Sequence, residues 1–194
     1  MIAGIVLAAG ASTRFGRNKL LLSWEGESLA RRAARVALDA GLDPVVVVLG
    51  HDAARVAQEL AGLPVRTVVN AAHARGMNTS LAAGVAELPA EAAAAVVLLG
   101  DMPRVTAEMV ASLVRTFRET GAPLVASDYA GVLAPPTLYA RPLLPELGGH
   151  EGDGAGRRLV RRHERELGRV EFPAEALMDV DREDDWRRMC VPAP

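Results

Sequence analysis

The chain has 194 residues, of which 50% are hydrophobic and 24% charged, with a formal net charge of −2. That length suits a single domain over 1–194 with a sizeable core. The composition is globular, and the near-neutral charge gives no general affinity for nucleic acid or membrane. The lone cysteine, Cys190, excludes a disulfide framework within the chain and fits a reducing cytoplasm. The apolar start is too short for a signal peptide, and no run reaches transmembrane length, so a cytoplasmic protein is expected.

The first predicted element is a buried strand, Ile2–Ala8. It runs into Ala9-Gly10-Ala11-Ser12-Thr13-Arg14-Phe15-Gly16-Arg17-Asn18-Lys19. Small residues from Ala8 to Ser12 let backbone N–H groups approach phosphate oxygens, and Arg14 and Lys19 add two cations beside them. The alternative is an ordinary glycine turn after a strand. The two common phosphate fingerprints do not fit: Gly10 and Gly16 are one residue too far apart for a Walker loop, and Ser12 stands where a dinucleotide loop needs its second glycine.

Further along, helices are predicted over Ser28–Ala40, Asp52–Ala61, Thr79–Glu87, Thr106–Thr120, Gly156–Glu166 and Arg182–Met189. Strands are predicted over Pro44–Leu49, Val65–Val69, Ala95–Leu99 and Pro123–Ser127. The continuous apolar runs Val45–Val48 and Val96–Leu99 suit strands buried on both faces. Strand–helix alternation implies an α/β fold with a doubly wound, mostly parallel, Rossmann-like sheet. Ligands of such sheets sit at the carboxyl ends of strands, where the residue 8–19 loop and the loop after Leu99 both lie.

Asn70 closes one predicted strand, and Thr79 or Ser80 is expected to cap the helix after it. Asp101, in Gly100-Asp101-Met102-Pro103, can hold a divalent cation over phosphates or cap the following helix, although Thr106 is the better cap. From Tyr129 to Pro145 the alternation fails. Pro135, Pro136 and Pro142 forbid a continuous helix, and residues 129–150 are expected to form an insertion or an edge hairpin. Arg157, Arg158, Arg161, Arg162, His163 and Arg165 form a basic cluster that also suits a solvated helix face. Near the C-terminus Asp179 and Asp181 fall on one side of an extended segment; either can ligate a metal, and Asp181 can instead cap the last helix. The four histidines lack metal-ligand spacing and read as surface residues. Residues 190–194 read as a tail.

Leu7, Ala8, Ala9, Gly10, Ser12, Arg14, Gly16 and Lys19 match every fixed position of Leu-Ala-Ala/Gly-Gly-x-Ser-x-Arg-x-Gly-x-x-Lys. The segment therefore resembles the signature of the nucleotidyltransferases of the molybdenum cofactor group, the cytidylyltransferases and guanylyltransferases of that cofactor. Gly76-Met77-x-x-Ser80-Leu81, Gly100-Asp101-x-Pro103 and Gly152-Asp153-Gly154-Ala155 follow in family order, and the resemblance runs from Ile2 to about Met189. Three departures stand out: Gly156 displaces an arginine by one position, Arg182-Glu183 replaces Thr-Pro, and Leu133-Ala134-Pro135-Pro136 replaces the usual Gly-His/Asn-Pro.

The resemblance implies a nucleotide-diphospho-sugar transferase type of sheet with a small β insertion, and a Mg2+-dependent enzyme. It implies nucleotide contacts from Leu7, Ala8, Ala9, Gly10, Ser12, Arg14, Lys19, Asn70 and Ser80. Arg14, Lys19 and Asp101 would be catalytic, Asp101 and Asp181 would hold the metal, and Asp153 and Arg157 would face the acceptor. The implied reaction joins CMP from CTP to the terminal phosphate of molybdopterin and releases pyrophosphate; a recipient molybdoenzyme or its chaperone is the implied protein partner. Ala9-Gly10 points to CTP, because the guanylyl branch carries Gly-Gly. The alternatives are guanylyl transfer to the same cofactor, nucleotidyl transfer to a sugar phosphate, and a non-catalytic nucleotide- or cofactor-binding carrier.

Overall fold

The computed structural model describes residues 1–13, 15–149, 153–178, 180 and 183–190, without the side chains of Asp185, Arg188, Met189 and Cys190. In chain order the elements are β1 (Ile2–Ala8), β2 (Ser23–Trp24), β3 (Glu27–Ser28), α1 (Leu29–Asp39), β4 (Val45–Leu49), α2 (Ala53–Glu59), β5 (Arg66–Val69) and α3 (Met77–Ala86). Then come β6 (Ala94–Leu99), α4 (Ala107–Thr120), β7 (Leu124–Tyr129), β8 (Val132–Ala140), α5 (Leu144–Gly148), α6 (Ala155–Arg162), β9 (Leu167–Phe172) and α7 (Glu183–Cys190).

Seven strands form one sheet in the order β5-β4-β1-β6-β8-β7-β9. Every described pairing in it is parallel except those of β8, which runs antiparallel to β6 and to β7. The fully buried Ile2–Ala8, Val45–Leu49 and Ala94–Val97 stretches lie at its centre, as their unbroken apolar character requires. Their side chains alternate between two cores. Val6, Val47, Val96 and Leu98 meet α1 and α4 through Ala34, Ala37, Val110 and Leu113. Ile5, Val46, Val48 and Val97 meet α3, α5 and α6 through Leu81, Leu144, Leu147 and Leu159. Helices on both faces make the sheet doubly wound.

The helix ends follow local chemistry. Ser28 caps α1 by accepting from Arg31 N–H, and Thr106 caps α4 by accepting from Met109 N–H. Gly121, at φ 66, closes α4 in the left-handed conformation that glycine adopts without penalty.

Two expectations fail. The segment expected at an edge contributes β8, which lies inside the sheet between β6 and β7. Its prolines sit where the register slips: Ala126 pairs with Thr137 but Ser127 pairs with Ala134, leaving Pro135 and Pro136 in a bulge. A bulge leaves residues out of the ladder, so the missing proline N–H groups cost no pairing. The edge is instead taken by β9, which was not predicted; the basic helix stops at Arg162, short of the predicted Glu166. Among the described residues no helix is long and apolar enough to cross a membrane.

Candidate active site

The loop after β1 is held by its own short side chains. Ser12 takes φ 51, a strained conformation for a residue with a Cβ. Its Oγ accepts from Lys19 N–H at 3.2 Å, and its carbonyl accepts from Phe15 N–H at 2.9 Å. Asn18 caps the following single turn by accepting from Leu20 N–H at 3.1 Å. Phe15 is buried with Leu22, Leu29 and Val180, anchoring the loop. These contacts fix the Lys19 backbone on both sides.

Opposite, β6 delivers Asp101. Gly100 makes this possible: its N–H donates to Leu7 O at 3.0 Å, and a Cβ there would fall 2.9 Å from Leu20 Cδ2. A larger residue would push the strand end away from the loop. Lys19 Nζ and Asp101 Oδ2 lie 2.5 Å apart, with side chains 13% and 19% exposed. The pair is shielded but reachable from solvent. The C-terminal segment returns to the same point, where Val180 N–H donates to Asp101 O at 3.2 Å.

The remaining walls come from β4, β5 and α3. Gly50 lets Ala9 and His73 crowd together: a Cβ on it would lie 2.8 Å from each of their Cβ atoms. Asn70, buried at the end of β5, is a hub. Its Nδ2 donates to Thr79 Oγ1 at 2.8 Å and to Ser80 Oγ at 3.0 Å, while its Oδ1 accepts from Ala72 N–H at 2.9 Å.

The resulting cleft has a volume of about 270 Å³ and is lined by Leu7, Ala9, Gly10, Ser12, Lys19, Leu20, His73, Met77, Ser80, Leu99, Asp101 and Asp153. Eight residues singled out from the sequence thus meet here: Leu7, Ala9, Gly10, Ser12, Lys19, Ser80, Asp101 and Asp153. Ala8 is buried in the core and Asn70 sits behind Ser80; neither lines the cleft. Arg157 is exposed and outside the lining. Arg14, Asp179 and Asp181 lie outside the described residues.

Two local expectations need correction. Neither Thr79 nor Ser80 caps α3: the helix starts earlier, at Met77, and Thr79 Oγ1 donates to Gly76 O and Ala72 O. Met77 N–H instead donates to the Asp153 carboxylate at 2.6 Å. His73, read as a surface residue, lines the cleft. No local spacing signals this, because the sheet alone brings its turn over Gly50.

A hard divalent cation fits the donors present. Mg2+ takes one or two protein carboxylates, with phosphate and water oxygens completing the shell, and Asp101 offers such a carboxylate on the cleft. Among the described residues no group of three or more His, Cys, Asp or Glu forms a metal cage.

Residues 4–167 match the family described as the MobA-like NTP transferase domain. The purine catabolism protein PucB of Bacillus subtilis is 29% identical over 94% of this chain and 93% of its own length. A probable molybdenum cofactor guanylyltransferase from Opitutus terrae is 38% identical over 61% of this chain and 56% of its own length. Among solved structures, Rv0371c from Mycobacterium tuberculosis superposes with a TM-score of 0.84 at 29% identity, covering 97% of this chain and 96% of that one. A manganese complex of Rv0371c superposes with a TM-score of 0.81 at 28% identity over 97% of both chains. A nucleotidyl transferase from Methanothermobacter gives 0.82 at 25% identity, over 97% of this chain and 95% of that one. With a family match spanning most of the chain, this protein belongs to the MobA-like NTP transferase family of nucleotidyltransferases.

Proposed function

We propose that this nucleotidyltransferase transfers CMP from CTP to the terminal phosphate of molybdopterin and releases pyrophosphate. The observation that carries the reading is the Lys19–Asp101 pair, 2.5 Å apart, which joins the Gly10 loop to the end of β6 on one cleft. Such a pair supplies a cation for the α-phosphate and leaving pyrophosphate and a carboxylate for a divalent metal.

The acceptor phosphate is already ionised, so attack on the α-phosphorus needs no general base. The phosphate–phosphorus bond forms as the α–β bridging bond breaks, and pyrophosphate leaves with the electron pair. Rate enhancement then rests on in-line positioning and charge stabilisation. Arg14 and Lys19 stabilise the charge on the transferring group, and backbone donors of the Gly10 loop hold the phosphates. A divalent cation held by Asp101 and Asp181 would neutralise phosphate charge. The Val180 tether to Asp101 supports Asp181 as the second ligand, since it holds the neighbouring backbone at that carboxylate's own residue.

Lys19 and Asp101 neutralise each other before ligands arrive. Cation and nucleotide must each take one member of this pair, so each makes room for the other. Ala9 supports CTP: its methyl lies close to Gly50, and the residue lines the cleft. Guanylyl transfer is the second reading, favoured by the relative from Opitutus terrae.

The test is pyrophosphate release with each of CTP, GTP, ATP and UTP, with and without molybdopterin. Release that needs molybdopterin and is fastest with CTP supports the reading. Faster release with GTP assigns the second one.

A further inference from the structure

The first turn of α3 faces two ways. Thr79 and Ser80 hang on Asn70 at the end of β5. Met77 and Asn78, immediately before them, hold the chain entering α6. Met77 N–H donates to Asp153 Oδ1 at 2.6 Å, and Ala155 N–H donates to Asn78 Oδ1 at 3.1 Å.

Both helices lack a local cap. The residues before them, Gly76 and Gly154, offer no side-chain acceptor. Each therefore receives its acceptor from the other: Asp153, just ahead of α6, caps α3, and Asn78, in the first turn of α3, caps α6. A helix start left without such an acceptor exposes orphan N–H groups. Asn78 is fully buried, and its Nδ2 has no partner among the described residues. Its Oδ1 accepts from Ala155 N–H, so the side chain bridges these two helices. Gly156, in the same turn as Ala155, lies so close to the Tyr139 hydroxyl that a Cβ would fall 2.7 Å from it. The seat of α6 therefore has little slack.

We infer that Asn78 is a positioning residue for the transfer reaction: with Asp153 it locks the start of α6, and so the acceptor side of the cleft, to the turn of α3 that carries Ser80 on the nucleotide side. The inference rests on the proposed assignment of Asp153 and Arg157 to the acceptor. It makes the two substrate sides separable by mutation. Asn78→Ala loosens α6 and leaves Asn70, Ser80, Lys19 and Asp101 in place. Asn78→Asp keeps an acceptor at Oδ1, and the start of its own helix and that of α6 both favour the added negative charge.

The experiment compares wild type, Asn78→Ala and Asn78→Asp by calorimetric titration with CTP and Mn2+, by amide hydrogen exchange, and by kinetics with molybdopterin as the acceptor probe. For Asn78→Ala we expect CTP affinity within threefold of wild type, exchange of residues 155–158 at least tenfold faster, and KM for molybdopterin at least tenfold higher. Asn78→Asp should restore exchange and KM to within threefold. Asp153, on the exposed loop, gives the second arm in case Asn78→Ala does not fold. Asp153→Ala should raise the acceptor KM and Asp153→Asn should largely rescue it, since an amide oxygen still caps Met77. Equal losses for CTP and acceptor, unchanged exchange in Asn78→Ala, or no rescue by either conservative variant overturns the inference. A failure of wild type to bind any NTP overturns the functional reading instead, and the exchange measurement still decides whether Asn78 locks α6.

Discussion

At the scale of single residues, the cleft is a charge pair waiting for its ligands. Lys19→Gln removes the ammonium that sits 2.5 Å from the Asp101 carboxylate. Two opposite effects are expected: affinity for Mn2+ alone rises, by roughly tenfold or about 1.4 kcal/mol, while turnover falls by more than tenfold, by loss of transition-state charge stabilisation worth roughly 2–4 kcal/mol. Mn2+ titration by electron paramagnetic resonance and steady-state kinetics read the two separately. Weaker Mn2+ binding in the variant would remove the competition argument. That Gly10, Ser12 and Lys19 face one cleft was legible in the sequence, because they sit close together in one small-residue loop directly after a buried strand. His73 and the Asp153–Met77 contact were not. The former depends on the missing Cβ of Gly50, and the latter joins residues far apart in the chain, so only the folded sheet reveals either.

At the scale of elements, α3 lies unusually close to β1. A Cβ on Gly84 would fall 2.6 Å from Ile5 Cγ2 and 3.1 Å from Val48 Cγ2, both stiff branched side chains in the core. Gly84→Ala is therefore expected to destabilise the protein by about 1–3 kcal/mol despite alanine's better helix propensity. Urea unfolding measures this, and an unchanged or higher midpoint would contradict the packing. The β2–β3 hairpin is joined to α1 by charge: Arg35 and Arg32 both bond Glu27. The hydrogen bond from Arg35 lowers the Glu27 carboxyl below its ordinary value, against the upward push of partial burial. A lowered folded value means stabilisation that is present above the ordinary value and lost as pH falls through the folded one. Glu27→Gln should thus cost about 1 kcal/mol at pH 7, and the gap from wild type should close below the ordinary value of 4.5. Thermal melts across that range check the sign. Sequence patterning found the central strands because both faces are buried. It put the β8 segment at an edge and not inside the sheet, because two adjacent prolines look incompatible with an inner strand, and only a bulge accommodates them there. It missed β9 because a half-exposed edge strand directly follows a basic helix and a short turn.

At the scale of the whole molecule, the alternation of strands and helices was enough to imply the doubly wound sheet and to put ligands at the carboxyl ends of β1 and β6. What it did not fix was the far half, where the order β6-β8-β7-β9 breaks the parallel rule. The difference is physical. Parallel central strands carry an unmistakable apolar signature, whereas an antiparallel strand and an edge are defined by long-range pairing. The near half holds the Lys19–Asp101 pair, and the far half leads through β8 and α5 to Asp153, the residue proposed to face the acceptor. One cleft is proposed to join these halves in a single group transfer. The most direct measurement follows α-phosphate-labelled CTP incubated with the protein, a divalent cation and molybdopterin. Label is expected to move to molybdopterin with one pyrophosphate released per label, and Asp101→Asn is expected to abolish the transfer. Label that stays in CTP or free CMP, or that moves equally well in Asp101→Asn, would contradict it.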